Sequence, residues 1–281
     1  MAPVATICAN GGRIDLTLGD PGRLGENASE LDGRHRRPLR PANAPSGVGE
    51  SSVHAANPWS WASWPESFVR LSGARTCFYD QFTADALDEG VHQVVVLGAG
   101  YDSRAWRFAR PGVTFYEVDL PATQADKRTR APEGGPTYVP ADVTVPSLGE
   151  ALTAAGFRSD EATAFTAEGL TMYLTEQQVT QLLGVLSALS GPGSRLAVNF
   201  GVGFEQQDSQ SGRVARRVMA AGGEELRFRL TPADAREIMT NTGWTINEML
   251  SGPQLRDKYV SGTKLAAVNV TTSGFAVAAT A

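Results

Sequence analysis

The stretch that most constrains this chain runs from His92 to Lys127 and reads HQVVVLGAGYDSRAWRFARPGVTFYEVDLPATQADK. Val94 to Leu97 form an unbroken apolar run with no helical period, cut off at Gly98-Ala99-Gly100. A run of that kind is a strand buried on both faces, as in a parallel sheet. The glycines permit positive φ and let a ligand approach bare backbone, and the amides of Tyr101 to Arg104 are expected to open a helix. A second apolar run, Val113 to Val118, ends in Asp119, which lies 21 residues after Gly98. Strand, glycine turn, helix, strand and acid, in that order, form the layout of a nucleoside-binding βαβ unit. The acid is placed to accept both ribose hydroxyls.

The dinucleotide version of this unit has a third glycine, here at position 103, to pack helix against strand around a pyrophosphate. Position 103 is Ser. That counts against NAD and FAD and for a nucleoside without phosphates, of which S-adenosylmethionine is the commonest. Three segments, LGAGYDSR, EVDLPATQADKR and AEGLTMYL (Ala167 to Leu174), together with ARTCFYDQF (Ala74 to Phe82), resemble the signature blocks of the leucine carboxyl methyltransferase-like family. The blocks come in the family's order and spacing, covering Arg70 to Leu174 well and Leu196 to Trp244 loosely.

The resemblance implies an α/β fold of the class I, Rossmann-like methyltransferase type. Its sheet is seven-stranded and mostly parallel with an antiparallel last strand, helices cover both faces, and leading helices form a lid over the cofactor pocket. It also implies S-adenosyl-L-methionine as cofactor, with Arg75 on the methionine carboxylate, Asp142 beside the adenine, and Glu168 near the sulfonium or ribose. The full cofactor-binding set expected on these blocks is Arg75, Gly98, Ala99, Gly100, Asp102, Arg104, Asp119, Leu120, Asp142, Val143, Glu168 and Gly169, with no metal. Tyr173 and His54 are the catalytic candidates. For Arg75 the bland alternative is a surface salt bridge with a neighbour such as Asp80, and for Asp142 it is a cap on the helix from Leu148.

The organisation expected is a flexible N-terminal tail over 1–52, a helical, cofactor-covering segment over 53–90, and a Rossmann-like core over 91–281 with an acceptor-pocket insertion at about 201–230. The tail is rich in Gly, Pro, Asn and Arg and has too little apolar surface to offset its ordering entropy. Trp59, Trp61 and Trp64 carry too much apolar surface to leave in water, so they belong either to the lid or to packing against the sheet. Val69, Leu71, Ala74, Phe78 and Phe82 predict a helix from Arg70 to Glu89, stopped by Gly90. Lys127 and Arg128 fit as cations at the end of a short helix that starts at Pro121. Thr175 to Gln178 reads as a capping box ahead of an apolar stripe, and Thr231-Pro232 as the start of another helix. The last two strands are expected at Trp244 to Met249 and Phe275 to Ala279.

A net charge of -5 over 281 residues implies no basic face, so the expected partner is a small-molecule or peptide methyl acceptor rather than nucleic acid. No apolar segment approaches the ~20 residues of a membrane span. Cys8 and Cys77 are too few for a disulfide framework, which with the absence of a basic leader points to the cytoplasm, as a monomer or homodimer. Methyl transfer from a sulfonium needs a lone pair on the acceptor. A carboxylate has one at neutral pH, whereas a phenol or alcohol needs a base, commonly His. His92 starts the first strand at the wrong end of the sheet, and only His54 could reach the pocket. The expected activity is therefore O-methylation of a carboxylate, or a hydroxyl, of a small metabolite, natural product or peptide terminus. A non-methylating binder or cyclase on the same fold, and a nicotinamide-dependent oxidoreductase, are the alternatives.

Overall fold

The computed structural model describes residues 14–15, 66–201, 230–261 and 275–281. In chain order the described elements are β1 (Ile14–Asp15), α1 (Glu66–Asp88), β2 (Gln93–Leu97), α2 (Arg104–Arg107), β3 (Thr114–Asp119), α3 (Pro121–Arg128), β4 (Thr137–Pro140), α4 (Leu148–Ala154), β5 (Thr163–Ala167), a 3-10 turn (Thr171–Tyr173), α5 (Glu176–Ala188), β6 (Arg195–Phe200), α6 (Pro232–Asn241), β7 (Thr245–Ser251), α7 (Gly252–Tyr259), β8 (Val260–Ser261) and β9 (Phe275–Thr280). A seven-stranded sheet has the order β4-β3-β2-β5-β6-β9-β7. Strands β4, β3, β2, β5 and β6 pair in parallel, and β9 is inserted antiparallel between β6 and β7. This is the expected mixed sheet with its antiparallel last strand. Separately, Ile14–Asp15 pairs in parallel with Val260–Ser261.

Strand β2 shows why a run of branched apolar residues belongs at the centre. All five of its residues are buried. Val95 and Leu97 join the core on one face with Leu148, Leu182, Leu186 and Met239, while Val94 and Val96 join the other with Phe78, Phe82 and Phe115. The period of two in the strand thus feeds both layers at once.

Helix α1 presents Ala74, Phe78, Phe82 and Ala86 to the second layer at four-residue spacing. Its end is a Schellman arrangement: Gly90 has φ +87, and Val91 N donates to Ala86 O at 3.0 Å. The predicted capping box on α5 is present, with Gln178 N donating to Thr175 Oγ1 at 3.3 Å and Thr175 N to Gln178 Oε1 at 2.8 Å. Val179, Leu182, Leu183 and Leu186 behind it are buried. On α6, Thr231 and Asp234 cap reciprocally in the same way.

Three local expectations change. The helix after the glycine turn begins only at Arg104 and lasts four residues, because Asp102 accepts from Arg104 N and turns the intervening chain. The run Val113 to Val118 is not wholly apolar in its surroundings: Glu117 is fully buried in it. Lys127 sits in the last turn of α3 as expected, and there it is only 4% exposed and donates to Glu117 Oε2, with its ammonium 5.5 Å from the Trp106 ring centroid. An isolated buried carboxylate is too costly to persist unpaired, so α3 supplies its counter-charge. Cys77 is disulfide-bonded rather than a reduced thiol.

Candidate functional site

Connections run from β2 to β3 and β4 on one side and return to β5 and β6 on the other, so the order reverses between β2 and β5. The carboxyl ends of these two strands are the place where open α/β sheets bind ligands. Two groups of residues meet there, one on the turn after β2 and one on the segment after β5.

The first group is local. Gly98 and Gly100 have φ +60 and +46, a region that side chains with a Cβ rarely adopt. Their surroundings differ: a Cβ on Gly98 would lie 2.9 Å from Leu170 Cδ1, while a Cβ on Gly100 would meet nothing within 4 Å among the described residues. Gly98 therefore allows close packing and Gly100 leaves open space. Asp119, at the end of β3, holds the turn from beside it, accepting from Gly100 N at 2.6 Å and from Leu120 N at 2.7 Å. A carboxylate offers about four lone-pair sites, so two remain for further donors. Next to it Leu120 is 53% exposed, the one large hydrophobic left so open among the described residues. Ala99 is buried, and its N donates to Val118 O at 3.1 Å, tying the turn to β3.

The second group is assembled from distant parts of the chain. Glu168, just after β5, accepts from Arg75 Nε of α1 at 3.0 Å through Oε1 and from Arg104 NH2 of α2 at 2.8 Å through Oε2. Arg104 is 2% exposed and also donates to Asp80 and Asp102. Asp80 in turn holds Arg107 by two bonds, at 2.6 and 2.8 Å. Three carboxylates and three guanidiniums thus form one balanced cluster. Burial pushes the Glu168 carboxyl up, but Arg104 and then Arg75 outweigh it and hold it below the usual carboxylate range. Burial likewise works against the charge of Arg104, and Asp102, Glu168 and Asp80 more than restore it.

Arg75 is the open member of the cluster. Its side chain is 33% exposed, and among the described residues only Nε is bonded, which leaves NH1 and NH2 as unpaired donors there. Those nitrogens lie 3.9 and 3.8 Å from the point where a Cβ on Gly169 would sit. A guanidinium with two parallel free N–H groups matches a carboxylate. The expected alternative partner, Asp80, goes to Arg104 and Arg107, and Arg75 pairs with Glu168 instead.

The profile of the leucine carboxyl methyltransferase family matches residues 44–187, just over half of the chain. The chain belongs to the leucine carboxyl methyltransferase family. A relative from Mycolicibacterium paratuberculosis, provisionally named an S-adenosyl-L-methionine-dependent methyltransferase, is 34% identical over 191 residues, 64% of each chain. Another of that name, from Mycobacterium ulcerans, is 35% identical over 203 residues, 66% of this chain and 64% of its own length. The match spans less than two thirds of either relative. Among solved structures, a provisionally named methyltransferase from Thermobifida fusca superposes with a TM-score of 0.56 at 15% identity, covering 76% of this chain and 81% of its own. A DUF574 family protein from Streptomyces avermitilis gives 0.55 at 18% identity, covering 78% and 85%. These two likenesses show the fold.

For a leucine carboxyl methyltransferase family member the remaining expected residues fall as follows. Asp142 is exposed and does not cap α4, whose N-cap is Ser147; its Oδ1 accepts instead from Thr144 N at 2.8 Å and Thr144 Oγ1 at 2.7 Å. It follows β4 directly, since Ala141 N donates to Asp119 O at 3.0 Å, and Val143 beside it is buried. Tyr173 is half-buried in the 3-10 turn. Arg104 and Asp102 face each other inside the ionic cluster. His92 is exposed at the amino end of β2. The candidate base His54, the three tryptophans and the 202–229 part of the acceptor insertion lie outside the described residues. Two further participants, Tyr79, which lies in the ARTCFYDQF segment without being singled out there, and Asn199, which has no local signature, join α1 to the segment bearing Glu168.

Proposed function

We propose that this chain binds S-adenosylmethionine across the carboxyl ends of β2, β3 and β5 and directs its methyl group to an oxygen of a small-molecule or peptide acceptor. The carrying observation is the pairing of open space at Gly100, beside an acid with spare acceptor capacity, with an arginine whose two terminal nitrogens are unpaired. These groups suit a nucleoside at one end and an α-carboxylate at the other, and Ser103 leaves no glycine for a pyrophosphate.

In this reading Asp119 accepts from the ribose hydroxyls, Leu120 lies against the base, and Asp142 accepts from the exocyclic amine. Arg75 forks onto the methionine carboxylate. Glu168, ionised because Arg104 and Arg75 hold it so, offers a carboxylate to the neighbouring ammonium. When bound, S-adenosylmethionine supplies a methyl group on a positively charged sulfur. The chain's contribution is position and exclusion of water, since displacement at the methyl requires in-line approach more than acid–base chemistry. Among the described residues the single histidine, His92, is at the opposite end of the sheet, which supports an acceptor that is already anionic. We therefore favour a carboxylate over a hydroxyl, with Tyr173 near the acceptor and the 201–230 segment shaping its pocket.

Turnover of a panel of small carboxylic acids and phenols, read as formation of S-adenosylhomocysteine, tests this. Methylation of carboxylates with a rate flat from about pH 6 to 8 supports the reading, because an unperturbed carboxyl is ionised throughout that range. A rate that rises through about pH 6.5 and loses that rise in His54→Ala identifies a hydroxyl acceptor and a histidine base. Tight S-adenosylhomocysteine binding with no transfer to any acceptor favours the non-methylating alternative.

A further inference from the structure

Arg75 and Glu168 are 93 positions apart in the chain, and something must fix their spacing to within a few tenths of an ångström. Tyr79 lies one helical turn after Arg75 on the same face of α1 and is fully buried. Its hydroxyl shares its one donor hydrogen between Ala167 O at 2.9 Å and Asn199 Oδ1 at 3.0 Å. Asn199, near the end of β6 and 5% exposed, also accepts from Gly169 N through Oδ1 at 2.7 Å, and its carbonyl accepts from Thr171 Oγ1 at 2.6 Å. Together Tyr79 and Asn199 bracket Glu168: Ala167 is tied on one side, Gly169 on the other, and the helix carrying Arg75 is tied to both. The Tyr79 ring also lies 5.4 Å from the Arg104 guanidinium, the second cation on Glu168.

Resting on the cofactor reading above, we infer that Tyr79 and Asn199 are positioning residues for the amino-acid end of the cofactor. They do not touch it. They set the height of α1 against the carboxyl ends of β5 and β6, so that the free nitrogens of Arg75 and the Glu168 carboxylate face one ligand in fixed register. The nucleoside end, held by Asp119 and the glycine turn, shares none of these bonds. A role in stability alone would weaken both ends together. A positioning role weakens one.

The test is calorimetry with two probes, S-adenosylhomocysteine and 5′-methylthioadenosine, the second lacking the amino-acid portion. Tyr79→Phe removes one oxygen and keeps the ring under Arg104; Asn199→Ala removes the shared acceptor. Each is expected to lower S-adenosylhomocysteine affinity about 5- to 30-fold, the scale of one or two buried hydrogen bonds, and to leave methylthioadenosine within about twofold. In an Arg75→Lys background Tyr79→Phe is expected to add less than about twofold, since it acts through Arg75. Equal losses for both probes, no loss for either, or full additivity with Arg75→Lys overturns the inference. If Asn199→Ala does not fold, the Tyr79→Phe pair of measurements decides alone. Wild-type protein that binds neither probe overturns the cofactor reading itself, and this inference with it.

Discussion

The two ends of the site are built from different materials. At the proposed nucleoside end, the glycine turn, Asp119 and Leu120 come from a single strand-turn-strand unit and are held by backbone amides. At the proposed amino-acid end, Arg75, Glu168 and Arg104 come from α1, the segment after β5 and α2, and are held by ion pairs between side chains. Altering one side chain of a backbone-built site removes that side chain's own bonds and leaves the scaffold in place. A charge cluster shares its members, so a single loss weakens several pairs at once. Asp80, Asp102 and Glu168 all depend on Arg104.

Variants at the two ends should therefore separate binding from stability. The largest effect expected is on binding, with Asp119→Ala losing two hydrogen bonds to a charged carboxylate, about 3–6 kcal/mol of cofactor affinity. Circular dichroism should show it folded, because Gly100 and Leu120 amides left without Asp119 sit beside open space. Next comes Arg104→Ala, expected to cost about 3–5 kcal/mol of stability in a denaturant titration by leaving Asp102 without a cation and Asp80 and Glu168 with only Arg107 and Arg75. A variant with unchanged midpoint would show that the cluster is solvated. Gly100→Val should abolish calorimetric binding by filling the open space and disfavouring φ +46; normal binding would make the turn merely structural.

The smallest effects concern pH and contrast two buried acids. Burial raises Glu117 to about 7 against the opposing pull of Lys127, so its folded pKa lies above the unfolded value. The folded state then holds a proton that the unfolded state releases, and this contribution to stability declines as pH rises from about 4.5 to 7. Glu168 is shifted downward, so its contribution is present above about pH 4.5 and is lost as pH falls further. Glu117→Gln should flatten the stability profile between about pH 4.5 and 7, and Glu168→Gln should flatten it only below. Identical profiles for the two variants would contradict the opposite signs assigned here.

The same contrast governs what the sequence reveals. Strand β2, its glycines and Asp119 are legible because apolar period, turn chemistry and strand end are all written within about thirty contiguous positions. The capping boxes on α5 and α6 are legible for the same reason. Arg104 bonds Asp80 across 24 positions and Glu168 across 64, and no local pattern encodes such pairs. Lys127 reads as a helix-end cation until the fold brings it to Glu117. Glu117 itself carries a usable signal, a single acid inside an apolar strand, which demands a buried partner. Tyr79 falls inside the ARTCFYDQF segment, yet within it, like Asn199 in β6, it looks like an ordinary residue on a core-facing position.

The most direct test of the account measures S-adenosylhomocysteine and 5′-methylthioadenosine against wild type, Asp119→Ala and Arg75→Lys by calorimetry. The account predicts that Asp119→Ala weakens both ligands by the same factor, while Arg75→Lys weakens S-adenosylhomocysteine at least tenfold, about 1.4 kcal/mol, and leaves methylthioadenosine unchanged. Equal losses of both ligands in Arg75→Lys, or affinity in Asp119→Ala within about twofold of wild type, would contradict it.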